Sequence, residues 1–329
     1  MVEDAPLTAH FVRRSALVAQ GLRGARGQDA FSAGIGNALS QAVARSEGTH
    51  MRVTDADETA PESDRFVTAG VDVGMRTVKV ALLAHGGATG SPRVLSSELV
   101  TVARRREVLD LQNAVREGWF GSLRGAGLVP ADIALVASTG HDDGFARVGH
   151  FYRAQSLSAG VRFLFPHAVA VLDVGARQLR CTRLERMGRG RGYAATPQGE
   201  SWGADALEPI GSAHAASPAE MIRGPAAIAA YESVAARASA LMQALSLDGP
   251  TAITGALAVD VRFLSTLAQR LIDDRLAVVL LSSPDAVFTS AYGAALLAAR
   301  RFLRAAGSRR GKELSPSRAW PWPRPRLLN

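Results

Sequence analysis

With 329 residues and 47% hydrophobic content the chain can bury the cores of two ordinary domains, yet no run reaches the ~18–20 apolar residues of a membrane span. Its formal charge of +8 is uneven: residues 1–65 hold 7 basic and 9 acidic side chains, residues 301–329 hold 8 and 1, and the stretch between is nearly balanced at 23 and 20. The high pI therefore belongs mostly to a tail, the body carries no strong basic footprint for nucleic acid, and a single cysteine, Cys181, excludes an intrachain disulfide and a Cys-rich metal site supplied by this chain alone.

Residues 1–65 lack sustained periodicity, and their acidic stretch Asp55 to Asp64 reads as linker; the expectation is a disordered or weakly ordered extension, with Met51 as an alternative start. No signal peptide is evident, so the expected location is cytoplasmic. Order begins at Phe66. Val71 to Leu83 reads as two short apolar strands joined by a tight glycine turn, followed by a β-branched strand, Val94 to Val102. Val108, Leu111, Val115 and Trp119 then sit at helical spacing in Arg105 to Gly118. Ile133 to Ala137 reads as a buried strand ending in Ser138-Thr139-Gly140, and His150 to Ala159 as a helix that Pro166 terminates.

The second half opens with strands again: Ala168 to Val174, Gln178 to Leu184 and Arg191 to Ala195. A helix (Ala226 to Leu245), a strand (Thr251 to Ile253), a helix (Arg262 to Arg270), a short strand (Ala277 to Leu281) and a last helix (Ala291 to Leu303) follow. Two βββαβα-like halves predict an α/β duplicated fold, divided at 66–167 and 168–304. Residues 305–329 form a basic tail with two tryptophans among prolines, read as a solvated extension or, alternatively, a docking peptide.

The duplication is most visible in two hairpins. Val71-Asp72-Val73-Gly74-Met75-Arg76-Thr77-Val78-Lys79 is matched by Leu172-Asp173-Val174-Gly175-Ala176-Arg177-Gln178-Leu179-Arg180, which repeats Asp-Val-Gly, an Arg two places on and a base five places on. A tip of this kind sets backbone N–H groups beside an acid, so the glycines admit an anion while the acid holds a hydrated Mg2+. One acid, Asp72 or Asp173, would organise the metal through its waters, and the other would orient a water attacking a γ-phosphate. The plainer reading is a pair of ordinary turns, which Asp favours for its own backbone bonding; recurrence after about a hundred residues argues for the clamp. Thr254-Gly255-Ala256-Leu257-Ala258 adds a strand-to-helix turn small enough to pack on a base or ribose.

The order of hairpin, hairpin, Thr-Gly-x-x-Ala turn and a helix containing Tyr292-Gly293-Ala294-Ala295 resembles the acetate kinase, sugar kinase, Hsp70 and actin superfamily of ATPases. Val136 to Gly140, Gly149-His150-Phe151-Tyr152, Ala170 to Ala176, Thr196-Pro197-Gln198 and Ser283-Pro284-Asp285 narrow the resemblance. They point to the ATPase subunits of benzoyl-CoA reductase, D-type above all, and the activators of 2-hydroxyacyl-CoA dehydratases. The resemblance implies a ribonuclease-H-like duplicated fold with ATP and Mg2+ in a cleft between the halves. It also implies a [4Fe–4S] cluster shared with a second ATPase subunit, substrate-reducing partner subunits and a ferredoxin-type electron donor; from charge and hydropathy, neither nucleic acid nor membrane is expected as a partner. Carried over, Asp72, Gly74, Arg76, Thr77 and Lys79 form the first phosphate motif, and Asp173, Gly175 and Ala176 the second. Thr254, Gly255 and Ala258 form the adenosine turn, with Gly293 in the last helix.

The departures concern the cluster. Gly199 stands where the family has a cluster-binding cysteine, the segment expected to carry a second is missing between Ile210 and Thr254, and Cys181 lies on the strand after the second hairpin. Fe–S clusters need thiolates, and this chain cannot supply two. The expectation is an ATPase subunit of a benzoyl-CoA-reductase-type complex that does not ligate the usual cluster. The alternatives are a non-catalytic structural or regulatory subunit and, with no extra catalytic acid in evidence, a small-molecule kinase.

Overall fold

The computed structural model describes residues 65–74, 76–86, 90–102, 108–141, 149–175, 179–184, 190–195 and 225–308. The expectations for residues 1–64, the basic tail from 309 onward, Ala176 and the cluster-site segment 196–224 lie outside these residues. In chain order the elements are β1 (Phe66–Val73), β2 (Thr77–His85), β3 (Arg93–Thr101), α1 (Val108–Ala126), β4 (Ile133–Gly140), β5 (His150–Phe151) and α2 (Arg153–Leu164). After them come β6 (Ala170–Val174), β7 (Leu179–Leu184), β8 (Gly190–Ala195), α3 (Pro225–Ala244), β9 (Gly249–Gly255), α4 (Val261–Asp273), β10 (Val278–Leu281) and α5 (Thr289–Ser308).

Two five-stranded sheets result, ordered β3-β2-β1-β4-β5 and β10-β9-β6-β7-β8. Read outward from β1 and from β6, the orders coincide: an antiparallel hairpin on one side, a parallel strand on the other. β1 and β6 are central, buried on both faces, and accordingly near-continuous in apolar residues. Their acids fall at matching places, with Asp72 opposite Lys79 and Thr139, and Asp173 opposite Arg180 and Thr254.

α1 closes one face of the first sheet, setting Leu111, Val115, Trp119 and Leu123 against Val78, Val80 and Val100. It runs on past Gly118, where the apolar spacing weakens, to Ala126. A Cβ on Gly121 would lie 3.0 Å from Glu98 and one on Gly125 2.8 Å from Ser96, so close packing on β3 outweighs the poor helix propensity of glycine. At its C-terminal end Leu128 N–H donates to Leu123 and Gly127 N–H to Arg124, with Gly127 left-handed at φ 66°. The helix expected from His150 starts three residues later, because His150 and Phe151 first pair with Ser138 and Thr139 as β5.

α5 covers the opposite face of the first sheet although its sequence belongs to the second half. Ala291, Tyr292 and Ala295 pack with Ala81 and Leu83; Ala294 and Ala298 pack with Ala137. Thr68 Oγ1 donates 2.9 Å to the Ala295 carbonyl, and Gly70 leaves room for α5 backbone directly against β1. α5 thus crosses the division at 168. α2 lies on α5, and the contact is reciprocal: a Cβ on Gly160 would sit 2.7 Å from the carbonyl carbon of Thr289, and one on Gly293 2.5 Å from that of Ser156. No described helix is long and apolar enough to cross a membrane.

Candidate functional site

A small cleft opens where the ends of β1 and β6 meet the starts of α2 and α5. It is lined by Asp72, Lys79, Arg153, Asp173, Thr254 and Gly255, and by Ala286, Val287, Thr289 and Ser290 before and at the start of α5. Both acids are almost wholly buried, Asp72 at 1% exposure and Asp173 at 3%. Burying charge at such positions is costly without partners. Lys79 Nζ stands 3.4 Å from Asp72 Oδ2, delivered by the next strand of the same hairpin. Arg153, the first residue of α2, sets its Nε 3.5 Å from Asp173 Oδ2. Asp173 foremost raises the guanidinium's pKa further; burial opposes that, and Asp72 adds to it. Arg153 therefore sits in the field of both acids.

The remaining carboxylate oxygens differ. Thr254 Oγ1 lies 3.3 Å from Asp173 Oδ1 and 3.4 Å from the Leu172 carbonyl, so its one proton serves one at a time. Thr139, at the matching position beside Asp72, turns away and donates 3.0 Å to the Phe151 carbonyl. Asp72 Oδ1 is left buried without a hydrogen-bond partner, and the buried Nε–H of Arg153 makes no hydrogen bond either. Both residues line one small cleft, so an unmatched acceptor and an unmatched donor lie in its wall, as at a site for a ligand carrying both kinds of group.

Two glycines shape the strand ends. Gly140 closes β4 at φ 96° and Gly255 closes β9 at φ 90°, conformations that side chains rarely adopt. Their Cβ atoms would crowd the carbonyls of Val73 and Val174, the residues that follow the two acids, at 2.9 and 2.8 Å from the carbonyl carbons. Thr139-Gly140 is therefore the counterpart of Thr254-Gly255.

Of the residues expected from sequence, Asp72, Lys79, Asp173, Thr254 and Gly255 meet at the cleft. Gly74 closes the first turn by donating 3.0 Å to Thr77, and a Cβ there would lie 2.7 Å from the Thr77 oxygen, so the turn itself requires glycine. Arg76 and Thr77 are half-buried at the same tip, and Gly175 is half-buried at the second. Two others lie away from the cleft lining. Ala258 is fully buried in the turn behind Gly255, accepting from Ser282 Oγ, and does not line the cleft. Gly293 is spent on the α2–α5 crossing, while Thr289 and Ser290, one turn earlier, reach the cleft.

Arg153 is the residue that the sequence does not announce. It follows an exposed tyrosine at an uncapped helix start, and its partner lies 20 positions further on, at the end of a strand in the other sheet. Cys181 occupies the core on β7 opposite Leu172, where burial pushes its thiol up to about 12, and it is unsuited to act as a thiolate there. Among the described residues no three His, Cys, Asp or Glu side chains cluster to chelate a metal directly. Two carboxylates, one with an orphaned oxygen, instead fit a Mg2+ ion held through its waters.

Paired sheets of identical order, with an acid at the end of each central strand facing one cleft, define the actin, Hsp70 and sugar-kinase class of fold. The activator of 2-hydroxyisocaproyl-CoA dehydratase from Clostridium difficile, solved with bound ADPNP, superposes with a TM-score of 0.58 at 16% identity, over 76% of this chain and all of that one. Component A of (R)-2-hydroxyglutaryl-CoA dehydratase from Acidaminococcus fermentans gives 0.55 at 18% identity, over 72% of this chain and 99% of that one. No protein-family model matches the chain. The D-type subunit of benzoyl-CoA reductase from Thauera aromatica is 30% identical over 274 residues, spanning 71% of this chain and 94% of the relative. The chain belongs to the family of D-type benzoyl-CoA reductase subunits.

Proposed function

We propose that the chain binds and hydrolyses ATP as a subunit of a benzoyl-CoA-reductase-type complex, and that it does so without ligating the family's [4Fe–4S] cluster itself. The observation that carries the ATP site is the convergence of Asp72 and Asp173, from separate sheets, on one cleft with Lys79, Arg153 and Thr254. Asp72, through its unpartnered Oδ1, would hold Mg2+ by way of the ion's waters, and Asp173, steadied by Thr254, would accept from the water that attacks the terminal phosphate. Lys79 supplies charge to the phosphates from within the first hairpin. Mg2+, when bound, neutralises phosphate charge as bond breaking proceeds. Gly140 and Gly255 keep the strand ends narrow enough for the acids to face inward.

For the cluster, the support is compositional. One cysteine per chain, buried and held protonated on β7, offers no thiolate pair. The matched span of 274 positions draws on only 71% of this chain, so the alignment passes over positions of the relative that this chain lacks. Other reductase subunits and a ferredoxin-type donor then supply and receive the electrons that hydrolysis drives. A second reading, a subunit that does not turn over ATP, draws on the Arg153–Asp173 pair, which already satisfies one acid internally. Iron and sulfide analysis of the purified chain, alongside Mg2+-dependent ATP turnover, separates these. Turnover without cluster iron is expected; stoichiometric iron and sulfide would sink the cysteine argument, and absent turnover in the assembled complex would leave the second reading.

A further inference from the structure

We infer that Arg153 is a displaceable counter-ion that neutralises Asp173 in the empty cleft and passes to the phosphates when nucleotide binds, so that this chain takes up its divalent cation only together with nucleotide. The inference rests on the ATP-site reading above and extends it to the order in which charge enters the site.

The charged side chains lining the cleft are balanced, two acids against two bases. Lys79 reaches Asp72 from the adjacent strand, whereas Arg153 reaches Asp173 from the other half of the molecule. The Arg153 Nε stands 3.5 Å from Asp173 Oδ2 without forming a hydrogen bond, unlike the short, two-pronged geometry of a committed arginine–carboxylate link. Its side chain is 28% exposed against 4% for Asp173, so Arg153 is the less enclosed member of the pair. Its field comes from both acids, which is where a cation belongs before a metal arrives.

The two unmatched atoms decide what the ligand must be. A bare divalent cation would suit Asp72 Oδ1 but would place two positive charges against Arg153. A bare anion would suit the Arg153 Nε–H but would press more negative charge onto an unmatched carboxylate oxygen. A nucleotide polyphosphate carrying its cation answers both, with phosphate oxygen accepting from Arg153 and metal-bound water donating to Asp72. Binding of the two components is then coupled, each raising the affinity for the other.

The test follows Mn2+ by the loss of its free electron-paramagnetic-resonance signal, with and without ADP, on the whole chain. Wild type is expected to bind Mn2+ at least ~10-fold more tightly with ADP present, the size of one charge-assisted hydrogen bond. Arg153→Gln, which keeps size and polarity and removes the charge, should bind Mn2+ without nucleotide and weaken metal-free ADP binding by a similar ~10-fold factor. Arg153→Lys retains the charge and should still exclude Mn2+, which guards against a glutamine variant that misfolds. Equal Mn2+ affinity with and without ADP in wild type, or unmoved isotherms in Arg153→Gln, overturns the inference while ADP binding itself still stands. Absence of ADP binding by wild type overturns the ATP-site reading and this inference with it.

Discussion

The two halves of the molecule share a backbone plan and differ in how each neutralises its acid. In both, a central strand ends in Asp-Val-Gly, a parallel neighbour ends in Thr-Gly, and that second glycine packs on the carbonyl of the valine after the acid. In the first half the counter-charge, Lys79, is local and the threonine looks elsewhere, leaving Asp72 with a free oxygen. In the second half the threonine turns in and the paired cation, Arg153, comes from the other half. Duplication has kept the geometry that aims the acids, while the groups around them have diverged toward separate tasks. On the function proposed above, one half would accept a hydrated metal and the other would hold an acid in readiness.

The correspondence between the halves breaks most severely at the helix crossing. Gly160→Ala and Gly293→Ala each drive a methyl into backbone of the facing helix, and each should cost about 3 kcal/mol in a urea unfolding titration. If the halves are true counterparts the two losses match; one large and one negligible loss would show that the crossing is not reciprocal. Next come the strand ends. Gly140→Ala and Gly255→Ala force side chains into the left-handed φ that each glycine holds, for about 2 kcal/mol apiece by the same titration. Only the first would also crowd Asp72 Oδ1, at 3.1 Å, so it should lose more turnover than stability alone explains. The smallest effects sharpen the asymmetry. Thr254→Val and Thr139→Val should each cost about 1 kcal/mol, but turnover should fall several-fold in the first and hold in the second. Equal turnover in the two would remove Thr254 from the site.

Much of this was legible in the chain itself. Strand alternation, helical spacing and the repeated Asp-Val-Gly placed nearly every element, because those patterns follow from local periodicity. The acids, Lys79 and the Thr254-Gly255 turn were visible for the same reason. What was hidden depended on contacts between distant segments. The helix expected to end at Gly118 runs on through Gly121 and Gly125 because β3 lies beneath them, and the packing of Gly293 on Ser156 has no local signal. α5 belongs by sequence to the second half and by packing to the first sheet. Arg153 carries no local signature, since a lone arginine at a helix start is ordinarily solvated, and only the meeting of the halves gives it a partner.

The central claim is that one nucleotide site needs an acid from each half. Mg2+-dependent ATP turnover by Asp72→Asn and Asp173→Asn, each assayed in the assembled complex beside wild type, tests it most directly. Asparagine keeps the shape of both positions and removes the charge. Either substitution alone is expected to reduce turnover to background. Wild-type turnover in either variant would contradict the claim, and would take that half out of the mechanism.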